Sequence, residues 1–282
     1  MTRVLLTGAT GFVGRQVLKR LLQKDVAISV ISRSSQENFP LQDSKITQYF
    51  RTNNLFTEND AWYNNVCEGI DIIIHVAWYA EPGKYLESSL NLDCLSGTLA
   101  LAKAAANKGI KKFIGVGTCF EYDLTTDKTL ETTSPLNPTF LYSIAKTATF
   151  QSLEKFFCNE GIDFLWTRIF YLYGEGEDER RLVAVLRRKL SLNKSVDLTS
   201  GNQIRDFMDV KLAGYMIADA SIGLNTGAFN VCSGQGISIR ELAEKIADEY
   251  GRRDLLNFGA RPDNISDAPY VVGEKTEVIE SK

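Results

Sequence analysis

The sequence predicts an α/β fold with a doubly wound parallel sheet and a smaller C-terminal lobe. Through its first part, apolar runs of strand length alternate with helical patterns. Strands separated by helices are joined by right-handed crossovers, which place them in a parallel sheet with helices on both faces. The segment TGATGFVG at residues 7–14 lies between the first strand and the first helix of this series. A glycine-rich turn in that position is typical of a Rossmann domain.

Each element has its own local signal. The predicted strands are short apolar runs at 4–6, 26–32, 46–50, 70–76, 112–116 and 164–170. The predicted helices cover 13–22, 88–107 and 140–159, and Gly109 and Gly161 end the last two. Beyond Gly174 the alternation is looser, with predicted helices at 180–192 and 238–250 and strands at 203–207 and 229–232.

The 282 residues form a chain long enough for one large α/β unit with an ample core. We expect a dinucleotide-binding domain over 1–173, to which 203–232 returns, and a smaller substrate-binding lobe over 174–202 and 233–282. No linker between independent domains and no internal repeat is evident.

Composition argues against several classes of protein. Lys and Arg number 32 against 35 Asp and Glu, so the chain has no basic footprint for nucleic acid or an anionic membrane. The most apolar stretch, 70–80, is short and is interrupted by Asp71 and His75, and the N-terminus lacks a signal-peptide core. We therefore expect a cytoplasmic protein that acts on small molecules.

The cysteines and the histidine indicate neither a disulfide framework nor a metal site. Five cysteines are widely spaced without a Cys-x2-Cys pair. His75 is the only histidine, which excludes a metal site built on imidazoles.

The glycine turn predicts a bound dinucleotide. Gly8 allows the chain to reverse, Gly11 omits a Cβ where a diphosphate approaches the backbone, and Gly14 allows close packing of helix and strand. The N-terminus of the helix that follows attracts the anion.

Three further residues predict acid–base chemistry. Tyr142 and Lys146 are four residues apart in a predicted helix, so both project from one face. A nearby ammonium favours the phenolate, and we therefore expect Lys146 to lower the pKa of Tyr142. Thr118 lies at the carboxyl end of a predicted strand, where doubly wound sheets bind ligands, and its hydroxyl can hold a carbonyl oxygen.

With these residues in this order, the chain resembles the extended short-chain dehydrogenase/reductase family, in particular its nucleotide-sugar branch. The resemblance extends over residues 2–276. Beyond TGATGFVG and YSIAK it includes HVAW at 75–78, NLDCLSGT at 91–98, TRIFYLYGEG at 167–176, QIRDFMDV at 203–210 and FNVCSG at 229–234.

The resemblance implies a role for individual residues. It makes Thr118, Tyr142 and Lys146 catalytic, Asn91 an organising helix residue and His75 a packed strand residue. The implied cofactor-binding residues are Gly8, Thr10, Gly11, Phe12, Val13, Ser32, Arg33, Ser34, Asn54, Leu55, Ala77, Tyr142 and Lys146. The implied substrate-binding residues are Tyr171, Arg205 and Arg261, the two arginines at positions where relatives bind a diphosphate.

The end of the second strand predicts the choice of cofactor. An acidic residue there would bind the adenine ribose of NAD and repel a 2′-phosphate. This chain instead has Ser32, Arg33 and Ser34, which favour NADP over NAD.

Some positions depart from the family pattern. Related sugar-nucleotide 4,6-dehydratases carry acidic residues directly after the catalytic threonine, where this chain has Cys119 and Phe120, with Glu121 one step later. Dehydration is therefore disfavoured. Lys211 and Leu212 replace a usual acidic pair, Tyr171 replaces a usual Asn, and a closing Gly-Trp-x-Pro segment is absent.

The resemblance implies an NADPH-dependent reductase that converts the 4-keto group of a nucleotide-linked 4-keto-6-deoxyhexose to an alcohol. Similar enzymes supply unusual sugars to bacterial surface polysaccharides such as lipopolysaccharide. The alternatives are a 4-epimerase with self-regenerating NAD and a non-catalytic protein that senses NADP. Relatives often dimerise through a four-helix bundle, which here would use the helices at 88–107 and 140–159.

Overall fold

A seven-stranded sheet with helices on both faces forms the centre of the molecule. The computed structural model describes residues 1–264 and 267–280. The strands are β1 (Thr2–Thr7), β2 (Val26–Ser32), β3 (Ile46–Arg51), β4 (Ile72–His75), β5 (Lys112–Thr118), β6 (Asp163–Ile169), β7 (Tyr171–Tyr173), β8 (Val196–Leu198), β9 (Ile204–Asp209), β10 (Gly227–Val231), β11 (Gly236–Ser238), β12 (Leu256–Phe258) and β13 (Tyr270–Val271). The helices are α1 (Gly14–Leu21), α2 (Asp60–Val66), α3 (Leu90–Asn107), α4 (Leu141–Glu160), α5 (Leu182–Ser191), α6 (Val210–Ile222) and α7 (Ile239–Asp248).

The strand order of the large sheet is β10-β6-β5-β4-β1-β2-β3, and every neighbouring pair is parallel. The chain starts at β1, moves outward to β3, and then crosses back to β4 to build the other half. The order therefore reverses between β1 and β4, the position at which doubly wound sheets bind ligands. The predicted α/β class and parallel sheet are confirmed.

The core consists of two layers, one on each face of the sheet. Val4 and Leu6 of β1 pack in the layer that contains α1 and α6. Leu5, between them, packs in the layer of α2, α3 and α4. Successive side chains of a strand point to opposite faces, so a strand covered on both sides must be apolar throughout.

A smaller lobe lies beyond the carboxyl ends of the large sheet. In it, β9 pairs with β11, β13 and β7, and β8 pairs with β12. Helices α5 and α7 cover these strands through a separate apolar cluster that includes Leu186 and Ile246.

The region 203–232 divides between the two parts. Helix α6 packs on α1, and β10 pairs with β6 in the large sheet. Strand β9 instead belongs to the smaller sheet, where the Asp206 carboxylate accepts hydrogen bonds from the backbone N–H groups of Ser233 and Gly234. The domain boundaries remain a prediction, and 265–266 and 281–282 of the expected lobe lie outside the described residues.

Helices α2 and α6 have no counterpart among the predicted elements. Helix α6 begins where the Asp209 side chain accepts a hydrogen bond from the Lys211 N–H, and this N-cap is the local signal for the helix. None of the helices in the described part of the chain is long and apolar enough to cross a membrane. Within the same residues, no group of three or more His, Cys, Asp or Glu side chains could hold a metal ion.

Candidate active site

A cleft of about 1730 Å3 lies between the carboxyl ends of the large sheet and the smaller lobe. The glycine turn after β1 and the segment after β2 line one end, and β7 and β9 line the other. Residues from β5 and α4 lie between these two ends. The topology thus brings the separate predicted site segments to one cavity.

The glycine turn has the shape expected for a diphosphate site. Gly8 has a φ of +71°, and a Cβ there would stand 2.8 Å from the Ala77 nitrogen. A Cβ at Gly14 would stand only 2.1 Å from the Gly8 carbonyl oxygen. The fold itself requires these two glycines. Gly11 is exposed and its Cβ would meet only the Gly8 oxygen, at 3.2 Å, so the space above it is open to a ligand at the start of α1.

The structure brings nearly all predicted cofactor-binding residues to the cleft. Those that line it are Gly8, Thr10, Gly11, Phe12, Val13, Ser32, Arg33, Asn54, Leu55, Ala77, Tyr142 and Lys146. Ser34 does not line it, because a turn in which its N–H donates to the Ser32 hydroxyl carries it away. Thr52 and Asn53 line the cleft and were not predicted. Both residues directly follow strand β3, which lies beside β2, and that proximity was the available signal.

Thr118, Tyr142 and Lys146 lie together in the middle of the cleft, and all three are buried. Thr118 ends β5, while Tyr142 and Lys146 lie one turn apart at the start of α4. The Thr118 hydroxyl lies close enough to the Tyr142 phenol to oppose the rise in the pKa of that phenol. The three side chains can therefore act on one ligand.

The Lys146 ammonium has few partners. Its Nζ donates to the Val116 carbonyl at 2.5 Å and lies 3.7 Å from the centroid of the Trp78 ring. Burial lowers the pKa of Lys146 to about 7, against the opposing influence of Glu121 and Cys94. An ammonium can donate three hydrogen bonds, so this one has capacity left for the hydroxyls of a cofactor ribose.

The expectation that Lys146 lowers the pKa of Tyr142 is wrong for this arrangement. Burial raises the pKa of Tyr142, with further contributions from Tyr85, Glu121 and Cys119, and the Thr118 hydroxyl opposes them. The Lys146 Nζ is 6.0 Å from the centroid of the phenol ring. Desolvation therefore exceeds the effect of the ammonium, and the phenol is protonated at neutral pH.

Glu121, the carboxylate nearest to Thr118 in the sequence, is held inside the protein. Arg168 Nε donates to its Oε2 at 2.8 Å, and the indole N–H of Trp166 donates to both of its oxygens at 3.0 Å. The Thr118 N–H donates to Oε1 at 2.8 Å. Glu121 is fully buried and does not line the cleft, so it is unavailable as an acid or base.

The predicted substrate-binding residues line the end of the cleft formed by the smaller lobe. The Arg205 guanidinium lies 5.4 Å from the centroid of the Tyr171 ring. Arg261 is exposed, and its backbone N–H donates to the Leu198 carbonyl. Both arginines and Tyr171 line the cleft.

His75 and Asn91 have the structural surroundings expected for them. The His75 ring nitrogens lie 2.9 Å from the Thr7 hydroxyl and 3.0 Å from the Thr98 hydroxyl. Burial lowers the pKa of His75 to about 3, so the ring is neutral. Asn91 is buried behind Trp78, whose indole N–H donates to its side-chain oxygen at 2.8 Å.

Aromatic side chains around Tyr142 were missed by sequence reasoning. The Tyr85 ring meets the Tyr142 ring edge-on at 4.8 Å between centroids, and Trp78 does so at 6.5 Å. Phe120 lies 6.0 Å from Phe140. The available signal was the tryptophan that closes the HVAW motif.

Comparison with known proteins identifies the family. The family model described as "NAD dependent epimerase/dehydratase family" matches residues 4–216. The chain belongs to this family. The resemblance to extended short-chain dehydrogenases/reductases is confirmed, and the protein is an NAD(P)-dependent enzyme.

Several characterised relatives match over most of the chain. A dTDP-6-deoxy-L-talose 4-dehydrogenase (NAD(+)) of Aggregatibacter actinomycetemcomitans is 24% identical over 274 residues, which cover 96% of this chain and 99% of that protein. CDP-abequose synthase of Salmonella muenchen is 25% identical over 271 residues, covering 92% and 84%. GDP-6-deoxy-D-mannose reductase of Pseudomonas aeruginosa is 25% identical over 264 residues, covering 87% and 79%.

Solved structures share the fold. UDP-N-acetylglucosamine 4-epimerase from Methanobrevibacter ruminantium superposes with a TM-score of 0.85 at 22% identity, over 98% of this chain and 90% of that chain. UDP-glucose 4-epimerase of Thermus thermophilus, solved with NAD, has a TM-score of 0.81 at 22% identity, over 97% and 90%. These two 4-epimerases thus share the architecture of this protein.

Proposed function

We propose that this enzyme uses NADPH to reduce the 4-keto group of a nucleotide-linked 4-keto-6-deoxyhexose. The observation that carries the proposal is the convergence of Thr118, Tyr142 and Lys146 in a cleft whose adjacent carboxylate, Glu121, is bound by Arg168. Proton donors for a carbonyl are present there, whereas the acidic groups of a dehydratase are replaced or withdrawn. Relatives named for 6-deoxy sugars support the same substrate class.

The three residues divide the work of the reduction. When bound, the reduced nicotinamide supplies a hydride for the carbonyl carbon. Tyr142, protonated because burial raises its pKa, gives its proton to the carbonyl oxygen. The Thr118 hydroxyl donates a hydrogen bond to that oxygen as negative charge develops on it. The charged form of Lys146 stabilises the phenolate that remains and binds the cofactor ribose.

An aromatic wall beside Thr118 supports a 6-deoxy sugar. Phe120 contacts Phe140 at 6.0 Å and Tyr171 at 6.1 Å between ring centroids, and all three line the cleft. A methyl group can pack against these rings at no cost in hydrogen bonds. The additional hydroxyl of an ordinary hexose would be desolvated against them and disfavoured.

The smaller lobe supplies the binding site for the nucleotide diphosphate in this proposal. Arg205 and Arg261 line this end of the cleft. One guanidinium group can donate two parallel hydrogen bonds to two oxygens of a phosphate. Arg205 is buried against Tyr171, which restricts the orientations that its side chain can take. An arginine held in this way loses little entropy when a ligand binds.

NADPH is preferred to NADH in the proposal because of the residues that follow β2. Arg33 is exposed at the rim of the cleft, beside the buried hydroxyl of Ser32. No carboxylate among the described residues that line the cleft comes from this segment. A 2′-phosphate would meet a guanidinium and no repelling charge.

A homodimer through α3 and α4 is part of the proposal. Both helices pack on the same face of the large sheet and contact each other. Leu92 on α3 is 51% exposed and Ile144 on α4 is 46% exposed. Pairing of two copies through a four-helix bundle would cover these apolar side chains.

The decisive experiment follows the cofactor. Purified protein is incubated with 4-keto-6-deoxyhexoses carried on dTDP, CDP, GDP or UDP, with NADPH or NADH, and the loss of reduced cofactor is recorded. The proposal expects one equivalent of NADPH oxidised for each alcohol formed with at least one substrate. Interconversion of C4 epimers without net loss of cofactor would establish the epimerase instead. Cofactor binding without turnover, with full biological activity in a Tyr142→Phe variant, would establish the sensor.

A further inference from the structure

Trp78 covers the ammonium of Lys146 with the face of its indole ring. The Lys146 Nζ lies 3.7 Å from the ring centroid, within the range of a cation–π contact. Trp78 follows β4, and it lines the cleft together with Tyr142 and Lys146 of α4. The same ring lies edge-on to Tyr142 at 6.5 Å and to Phe56 at 6.3 Å between centroids.

The orientation of the indole is fixed from behind. Its N–H donates to the side-chain oxygen of Asn91 at 2.8 Å. The Asn91 amide nitrogen donates in turn to the Tyr85 carbonyl at 2.6 Å and the Ser88 carbonyl at 2.9 Å. Since these bonds determine which way the buried amide faces, the indole ring is held in one plane against Lys146.

The other groups around Lys146 give its charge limited support. Among the described residues, no carboxylate forms an ion pair with it. Glu121, which follows β5, and Cys94 of α3 favour the charged form of Lys146, but Arg168 already binds Glu121. The titratable groups that face it from the remaining elements are Tyr142 of α4 and His75 of β4, with the Trp166 ring of β6 at 5.8 Å.

We propose that Trp78 is a positioning residue that keeps the Lys146 side chain charged and aimed toward Tyr142 through its cation–π contact. Trp78 is thereby distinct from the three catalytic residues, because it acts on the reaction only through Lys146. The proposal supplements the role given to Lys146 in the proposed function. It concerns the free protein, so it does not depend on which sugar is reduced.

The test is a titration of Lys146 in the protein without substrate. Carbon-13 at the lysine Cε reports protonation by NMR, and the signal that disappears in Lys146→Arg identifies the residue. In Trp78→Leu we expect the midpoint of Lys146 to fall by about one pH unit, because the charged form loses the ring. A tryptophan that only fills space gives the opposite sign, since a smaller side chain admits water and raises the midpoint. An unchanged or raised midpoint overturns the proposal.

Two further variants keep the test decisive. Trp62→Leu is the matched control, since Trp62 is also half-buried but lies on α2. In this variant the pH midpoint of the Lys146 titration must equal that of the wild type. If Trp78→Leu does not fold, fluorinated tryptophan placed at position 78 alone preserves the ring shape and the N–H. Fluorination weakens the negative face of the ring, so the midpoint must fall with each added fluorine, and constancy overturns the proposal. No substrate enters these measurements, so their failure is distinguishable from failure of the proposed reductase.

Discussion

Two buried polar clusters lie close together near the end of β5, and they differ in how completely their hydrogen bonds are satisfied. The Arg168 cluster comprises Arg168, Glu121, Tyr122 and Asn230, in which Arg168 bonds Glu121 at 2.8 Å and the Tyr122 hydroxyl at 3.0 Å. Tyr122 in turn donates to Asn230 at 2.6 Å. The Lys146 cluster comprises Thr118, Tyr142 and Lys146.

The difference supports a structural role for the first cluster and the proposed catalytic role for the second. A buried charge costs several kcal/mol unless partners surround it, so the fold gains nothing from an under-satisfied cation such as Lys146. Lys146 has one hydrogen bond in the described protein, to Val116, whereas Arg168 has three acceptors. The Lys146 cluster lines the cleft, and Arg168 and Glu121 do not. The unused hydrogen-bonding capacity of Lys146 is therefore available to a ligand in the cleft, as the proposed function requires.

The largest predicted effect is the loss of activity in Tyr142→Phe. Removal of the phenol oxygen deletes the proton donor, and we expect kcat to fall by about 100- to 10,000-fold. The free energy of unfolding should change by less than about 1 kcal/mol, because the hydroxyl has no hydrogen bond that the fold depends on. The measurements are NADPH oxidation with the active 4-keto substrate and urea unfolding. A variant that keeps its kcat would remove Tyr142 from the reaction.

The Arg168 cluster should show the reverse behaviour. We expect Arg168→Met to lower the free energy of unfolding by about 3–5 kcal/mol, because the Glu121 carboxylate would remain buried without its partner. Urea unfolding measures the loss. Part of it should return in the double variant Arg168→Met, Glu121→Gln, which removes the unpaired charge. If the single variant is as stable as the wild type, the cluster is not structural.

Much of the site was predictable because it follows from backbone topology. The glycine turn, Thr118 at the end of β5, and Tyr142 with Lys146 on one face of α4 each depend on a local pattern and on the parallel order of strands. Such a sheet carries the carboxyl ends of its strands to one edge. The sequence alone therefore predicts that these segments meet at one edge of the sheet.

The electrostatics of the site were not predictable in the same way. The pKa of Tyr142 depends on its burial under side chains from distant segments, including Tyr85, and spacing within YSIAK carries no such information. The position of Ser34 outside the cleft lining was unpredictable for a similar reason, since a turn two residues long decides which serine faces the cleft. Strand β9 lies in the smaller sheet, where the Asp206 carboxylate accepts hydrogen bonds from Ser233 and Gly234, residues that the local pattern at 203–207 does not indicate.

A third prediction extends the comparison to His75, a buried titratable group with both ring nitrogens partnered. Its pKa is about 3 in the folded protein and 6.5 is the ordinary value. Below pH 6.5 the unfolded chain therefore binds a proton that the folded protein does not. The free energy of unfolding consequently decreases as the pH is lowered. We expect this loss to be at most about 1.4 kcal/mol per pH unit, and to be absent in His75→Gln.

Urea unfolding at several pH values between 7 and 5 measures both slopes. Carboxylates contribute equally to the two proteins, so the difference between the slopes isolates the histidine. Parallel curves for the wild type and His75→Gln would show that the ring takes up its proton as readily in the folded protein as in the unfolded chain.

The smallest predicted effect concerns Arg33, which is exposed at the rim of the cleft. No hydrogen bond or ion pair of Arg33 is present within residues 1–264 and 267–280, so its guanidinium is free to meet a phosphate. We expect Arg33→Ala to weaken NADPH binding about tenfold and to leave NADH binding nearly unchanged. Fluorescence titration with each cofactor gives the ratio. Arg51→Ala is the matched control, because Arg51 is an exposed arginine at the end of the neighbouring strand β3 and does not line the cleft. An equal loss for both cofactors would mean that Arg33 attracts anions without distinguishing the 2′-phosphate.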